Sequence, residues 1–132
     1  MSENKKNMLA NKKILIVEDD PRNIFSLSLI LEEKNVQIYA AENGIKALEV
    51  LKNEPGIDLV LMDIMMPGMD GYQTMTAIRK QPEFVNLPII ALTAKAMKGD
   101  SKKCIDAGAS DYLAKPVDVD ALLKKMDALL QK

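Results

Sequence analysis

Short apolar runs alternate with stretches of helical period about five times along the chain, with no internal repeat and no low-complexity linker. This alternation marks βαβ units, in which a parallel sheet is covered by helices on both faces. It predicts strands near residues 12–18, 36–42, 57–63, 88–93 and 111–114, with helices in the gaps. The first helix opens on Asp20-Pro21, a capping carboxylate followed by proline at the first helical position, where a missing N–H costs nothing. The last starts at about Asp118 and carries Val119, Leu122, Leu123, Met126, Leu129 and Leu130 on one stripe. Its Asp118 and Asp120 come first and Lys124 and Lys125 later, the order the helix dipole favours.

The apolar runs also rank the strands. Ile-Leu-Ile-Val (14–17), Leu-Val-Leu-Met (59–62) and Pro-Ile-Ile-Ala-Leu (88–92) are apolar throughout, as strands buried on both faces must be. Val36-Gln37-Ile38-Tyr39-Ala40 is mixed and suits a partly solvated edge, and the fifth run is short, as edge strands often are. The order 2-1-3-4-5 satisfies both observations. The expected fold is a single α/β, doubly wound, flavodoxin-like (βα)5 domain, with its ligand crevice beyond the carboxyl ends of strands 1 and 3.

Composition narrows the chemistry. At 132 residues the chain is one domain. It contains no histidine, so Ser-His-Asp and Cys-His catalysis are excluded and no phosphohistidine can form on it. Acid, base or nucleophile chemistry falls to carboxylates and lysines. A single cysteine, Cys104, excludes an internal disulfide and any multi-cysteine metal site, consistent with a reducing cytoplasmic compartment. A net charge of -1 gives no basic field for nucleic acid, and no apolar run is long enough to cross a membrane or serve as a signal-peptide core. Residues 1–11, polar and without an apolar signal-peptide core, read as a flexible tail ahead of a domain spanning 12–132.

What stands at the carboxyl ends of the strands is the main chemical signal. Strand 1 ends in Glu18-Asp19-Asp20, strand 3 in Asp63, strand 4 in Thr93 and strand 5 in Lys115. The topology brings these together on one side of the sheet. Clustered carboxylates repel one another unless a cation neutralises them or some remain protonated. Oxygen-only ligands select a hard cation, and Mg²⁺, which takes few protein carboxylates and pairs with phosphate, fits better than Ca²⁺ with its larger oxygen cage. A lysine beside such a site adds a second positive charge for phosphoryl oxygens. A carboxylate can itself attack phosphorus and form an aspartyl phosphate. Asp20 either adds negative charge to this site or serves only as the cap before Pro21.

Four motifs carry a family likeness: V-E-D-D-P at 17–21, D-I-M-M-P-G-M-D-G at 63–71, A-L-T-A at 91–94 and Y-L-A-K-P at 112–116. In that order, each at the end of the right strand, they make residues 12–130 resemble the receiver domain of two-component response regulators. The likeness is greatest to receivers joined to hybrid histidine kinases. It implies that Asp63 is the phosphoacceptor, charged from the phosphohistidine of a sensor kinase or histidine phosphotransfer domain in a phosphorelay. It also implies that Asp19, Glu18 (through water), Asp63 and the Met65 backbone carbonyl hold Mg²⁺. Lys115 and the Thr93 hydroxyl would bind phosphoryl oxygens, with backbone donors around Met65 and Ala94. Thr93 and Tyr112 would form the switch, and the Lys115–Pro116 peptide would be cis. Such a domain catalyses only its own phosphorylation and dephosphorylation, and its output is a changed surface on the fourth helix (residues 95–107), fifth strand and fifth helix. Met65 and Ala94 occupy positions that help govern water access to the acyl phosphate in receivers.

Other readings compete at single residues. Asp63 alone could be a turn or cap residue, Thr93 a helix cap, Lys115 a surface lysine and Tyr112 a cover for the sheet edge. Met62 and Met75 read as core filler, and Cys104 as inert. A haloacid-dehalogenase-like phosphatase would need D-x-D-x-T or D-x-D-x-V after its first strand, which neither Asp19 nor Asp63 begins. A flavin binder would not place Glu18-Asp19-Asp20 where a phosphate must sit. A receiver that works only by docking, without phosphorylation, retains the same residues and remains the alternative.

Overall fold

A computed structural model describes residues 9–94 and 98–131. Five parallel strands, β1 (Lys13–Val17), β2 (Gln37–Ala41), β3 (Leu59–Asp63), β4 (Ile89–Thr93) and β5 (Asp111–Ala114), lie in the order 2-1-3-4-5. The helices are α1 (Pro21–Glu32), α2 (Gly44–Asn53), α3 (Gly71–Arg79), α4 (Lys98–Ala107) and α5 (Val119–Leu130). The flavodoxin-like architecture expected from the apolar runs is the one found. A short 3-10 turn at Pro82–Phe84, not anticipated, interrupts the way from α3 to β4.

The strand ranking follows burial. Every residue of β3 and β4 is buried, whereas β2 is exposed or half-buried until its last residue, Ala41, and β5 is half-buried throughout. Because successive side chains on a strand point to opposite faces, the central strands feed two cores. Leu15, Val17, Val60 and Met62 pack with Leu51 of α2, Ile78 of α3 and Cys104 of α4. Ile14, Ile16, Leu59 and Leu61 pack with Leu27 and Leu31 of α1 and Leu122 and Met126 of α5. Met62 and Met75 are fully buried filler, as expected, and Cys104 is buried in the first core.

At the amino end, residues 9–11, expected as part of the tail, are held against the folded domain. Residues 1–8 lie outside the described residues, but Leu9 is buried in the α1/α5 core, and the Asn11 N–H donates to the Asn35 carbonyl at 2.9 Å. The apolar run Met8-Leu9-Ala10, of which Leu9 is the buried anchor, is too short for periodicity to register. Residues 95–97 of the expected fourth helix, and Lys132, also lie outside the described residues.

Candidate functional site

The parallel arrangement delivers Glu18 and Asp19 just after β1, Asp63 as the last residue of β3, Thr93 as the last of β4 and Lys115 directly after β5. The ladders fix their heights: Val17 pairs with Met62, Asp63 with Leu92, and Thr93 with Ala114. Pairing continues one step past the strands, with Ile64 N–H donating to Leu92 O at 3.1 Å and Lys115 N–H to Thr93 O at 2.7 Å. Asp63, Thr93 and Lys115 therefore sit on hydrogen-bonded backbone at the sheet edge.

Glycine is required where α3 meets this edge. A Cβ at Gly71 would stand 2.5 Å from the Asp63 carbonyl oxygen and 2.7 Å from the Ile64 Cα. Only a residue without that atom allows α3 to begin so close to the end of β3. Asp70 and Gln73 close the start of α3 as a reciprocal capping box, with bonds of 2.9 and 3.0 Å.

The centre of the site is a lysine between two buried carboxylates. Glu18 and Asp63 are 1% and 2% exposed. The Lys115 ammonium donates to Asp63 Oδ1 at 2.8 Å and to Glu18 Oε1 at 3.1 Å. Burial alone would lower the lysine pKa, but the hydrogen bonds and charges of Asp63 and Glu18 outweigh it and hold the pKa above the ordinary lysine value. Asp19 is exposed, and Glu18, Asp19 and Asp63 each offer an oxygen within 4.8 Å of the others. Three oxygen donors and no nitrogen or sulfur suit a hard divalent cation.

Around this centre the other anticipated residues fall into place unequally. Thr93 is buried at the neighbouring strand end. The Met65 N–H points at Asp63 Oδ1 from 3.4 Å, a long contact, and the Met65 side chain is 70% exposed. Ala94 and Lys115 line a cavity of about 500 Å³ between α1 and the chain after β5, together with Glu18, Asn23 and Pro116. The Lys115–Pro116 peptide is cis. Tyr112 stands outside the cluster, half-buried against the α2–α4 core, with the Lys125 ammonium 5.9 Å from its ring centre. Asp20 is also outside: it caps α1 and is held by Arg22, whose hydrogen bonds keep its carboxyl below the usual carboxylate range. Sequence reading missed Arg22, because a single arginine on a helix carries no pattern.

Residues 14–127 match the response regulator receiver domain family. Protein PilH of Pseudomonas aeruginosa is 40% identical over 89% of this chain and 97% of its own length. Sensor histidine kinase GacS of Pseudomonas protegens is 41% identical over 80% of this chain, which spans only 12% of that kinase. Among solved structures, the receiver domain of a sensor histidine kinase from Pseudomonas aeruginosa superposes with a TM-score of 0.84 at 35% identity, covering 93% of this chain and all of that one. That crystal structure has a magnesium ion coordinated in the active-site cleft. Among the described residues no helix is long and apolar enough to cross a membrane.

Proposed function

Since this chain belongs to the response regulator receiver domain family of two-component signalling, we propose that Asp63 accepts a phosphoryl group from the phosphohistidine of a partner protein. The partner is a sensor kinase or a histidine phosphotransfer domain. The observation that carries the reading is the Glu18–Asp19–Asp63 triad with Lys115 bonded into it. Glu18, Asp19, the Asp63 carboxylate and the Met65 carbonyl would hold Mg²⁺. The ion, when bound, neutralises the carboxylates and charge on the phosphoryl oxygens.

A carboxylate oxygen of Asp63 attacks phosphorus, an oxygen–phosphorus bond forms, and the phosphorus–nitrogen bond of the donor imidazole breaks. Lys115, already bonded to Asp63, exchanges that contact for a phosphoryl oxygen. The Thr93 hydroxyl and the N–H groups of Met65 and Ala94 supply further donors as charge accumulates. This work needs position and charge and no general base, which suits a chain without histidine. No observation favours a domain that works by docking alone, and the signature of a haloacid-dehalogenase-like phosphatase is missing from 19–23 and 63–67. The cytoplasm is the compartment this reading implies.

Replacing Asp19 by Asn tests the metal assignment. It removes one anionic oxygen from an exposed position while leaving the buried pairs intact, so Mg²⁺ affinity should fall roughly tenfold, in proportion to a lost charge at contact distance. Phosphorylation by acetyl phosphate should become dependent on higher Mg²⁺. Unchanged Mg²⁺ titration in Asp19→Asn would remove Asp19 from the ligand set.

A further inference from the structure

Four carboxylates stand at the end of β1 and β3, and they are not equivalent. Glu18 and Asp63 share Lys115. Asp20 is paired with Arg22, while among the described residues Asp19 has no ion-pair partner. The Asp20–Arg22 pair takes up the whole Asp20 carboxylate: Oδ1 accepts from Arg22 N at 2.9 Å and from Nε at 3.2 Å, and Oδ2 accepts from Nη2 at 3.0 Å. The Asp20 backbone N–H in turn donates to Glu18 Oε2 at 3.2 Å, so the pair adjoins the metal cluster directly.

Arg22 is an odd choice at this position. A cation in the first turn of a helix opposes the helix dipole, and α1 has no acidic residue in its first turn. The Arg22 side chain is 90% exposed, so the pair adds little to stability. Its effect is on charge. With their carboxylates ionised, Glu18, Asp19 and Asp63 carry three negative charges and Lys115 one positive, a balance of minus two that a divalent cation cancels. Asp20, one residue from the cluster, would make it minus three if it were unmasked.

We infer that Arg22 is a positioning residue that withdraws Asp20 from the metal cluster and so sets the charge of the site to match one divalent cation. This rests on the Mg²⁺ reading above and extends it. A surplus carboxylate would tighten Mg²⁺ and repel a dianionic phosphoryl donor. The fork of Arg22 prevents both by engaging both Asp20 oxygens.

A double-mutant cycle on the full chain, read as amide NMR titrations with MgCl2 at constant ionic strength, decides the matter. Asp20→Asn keeps an efficient helix cap, and Arg22→Gln keeps a good helix former, so neither threatens the fold. Arg22→Gln alone should lower the Mg²⁺ Kd about threefold, the size of a freed charge near the ion in screened water. Added to Asp20→Asn, it should lower the Kd clearly less, because only the charge of the arginine itself is lost and no carboxylate is released. Equal shifts in both backgrounds, or none in either, would overturn the inference while leaving the metal site standing. A wild type that shows no saturable Mg²⁺ binding would overturn the metal reading and this inference with it.

Discussion

Lys115→Ala should reduce phosphoryl transfer to Asp63 by about 10²–10³-fold while leaving Mg²⁺ affinity unchanged or raised. The first figure is the usual cost of losing one preorganised donor where charge accumulates. The second follows from removing a cation that repels Mg²⁺ from the same carboxylates. The variant thus separates Lys115 from Asp19, whose loss should weaken the metal. Mg²⁺ titration and phosphorylation kinetics on both variants check this, and equal loss of metal affinity in the two would contradict the assignment.

The same substitution has a cost in stability that depends on pH. It strands the buried Glu18 and Asp63 carboxylates, a loss of about 1–3 kcal/mol at neutral pH without Mg²⁺. In the wild type the folded pKa of Lys115 lies above its unfolded value. The ammonium therefore contributes its full stabilisation below the ordinary lysine pKa, about 10.4, and loses it as pH rises through the higher folded value. Denaturant unfolding followed upward through this range should show a fall in the wild type that Lys115→Ala lacks.

The second large effect is expected in α4. Beryllofluoride, a phosphoryl mimic, should change amide hydrogen exchange most between Thr93 and Ala114, beyond the loop that contacts it directly. A phosphoryl group adds about -1.5 to -2 charges and three acceptor oxygens, and Thr93 ends the strand beside the acceptor. Between Ser101 and Ala107 the only buried side chain of α4 is Cys104, while Ile105 is 46% exposed. Little burial opposes displacement of residues 101–107. The carboxyl end of α4 is better held, because the Arg79 guanidinium donates twice to the Gly108 carbonyl, at 2.9 and 2.7 Å, and once to Phe84 O at 2.6 Å. The change should thus be greater early in α4 than around Gly108, with Tyr112 following on β5, as in a two-state equilibrium biased by the ligand. Changes confined to the loop at 63–71 would make the domain a phosphate carrier and not a switch.

Much of this was legible because parallel sheets write their topology in hydrophobicity. The continuous apolar runs of β1, β3 and β4 identify the central strands, and once the order is known the residues that follow each run must converge. Glu18, Asp63 and Lys115 could be placed together for that reason alone. What sequence could not show depends on atoms meeting across elements. Gly71 is quoted in a motif, but its necessity comes from the Asp63 carbonyl 2.5 Å from where a Cβ would lie. Leu9 lies in the short apolar run Met8-Leu9-Ala10 within a polar stretch, and its burial in the α1/α5 core explains it. Asp20 could be a cap or a site charge, and the fork of Arg22 decides in favour of the cap.

The central claim is that Asp63 is the residue that carries the phosphoryl group. The most direct measurement is intact mass after incubation with acetyl phosphate and Mg²⁺, followed by treatment with hydroxylamine. Wild-type protein should gain the mass of one phosphoryl group and lose it to hydroxylamine, as an acyl phosphate does, and Asp63→Ala should gain nothing. A phosphoryl group retained on Asp63→Ala, or one that resists hydroxylamine on the wild type, would contradict the assignment.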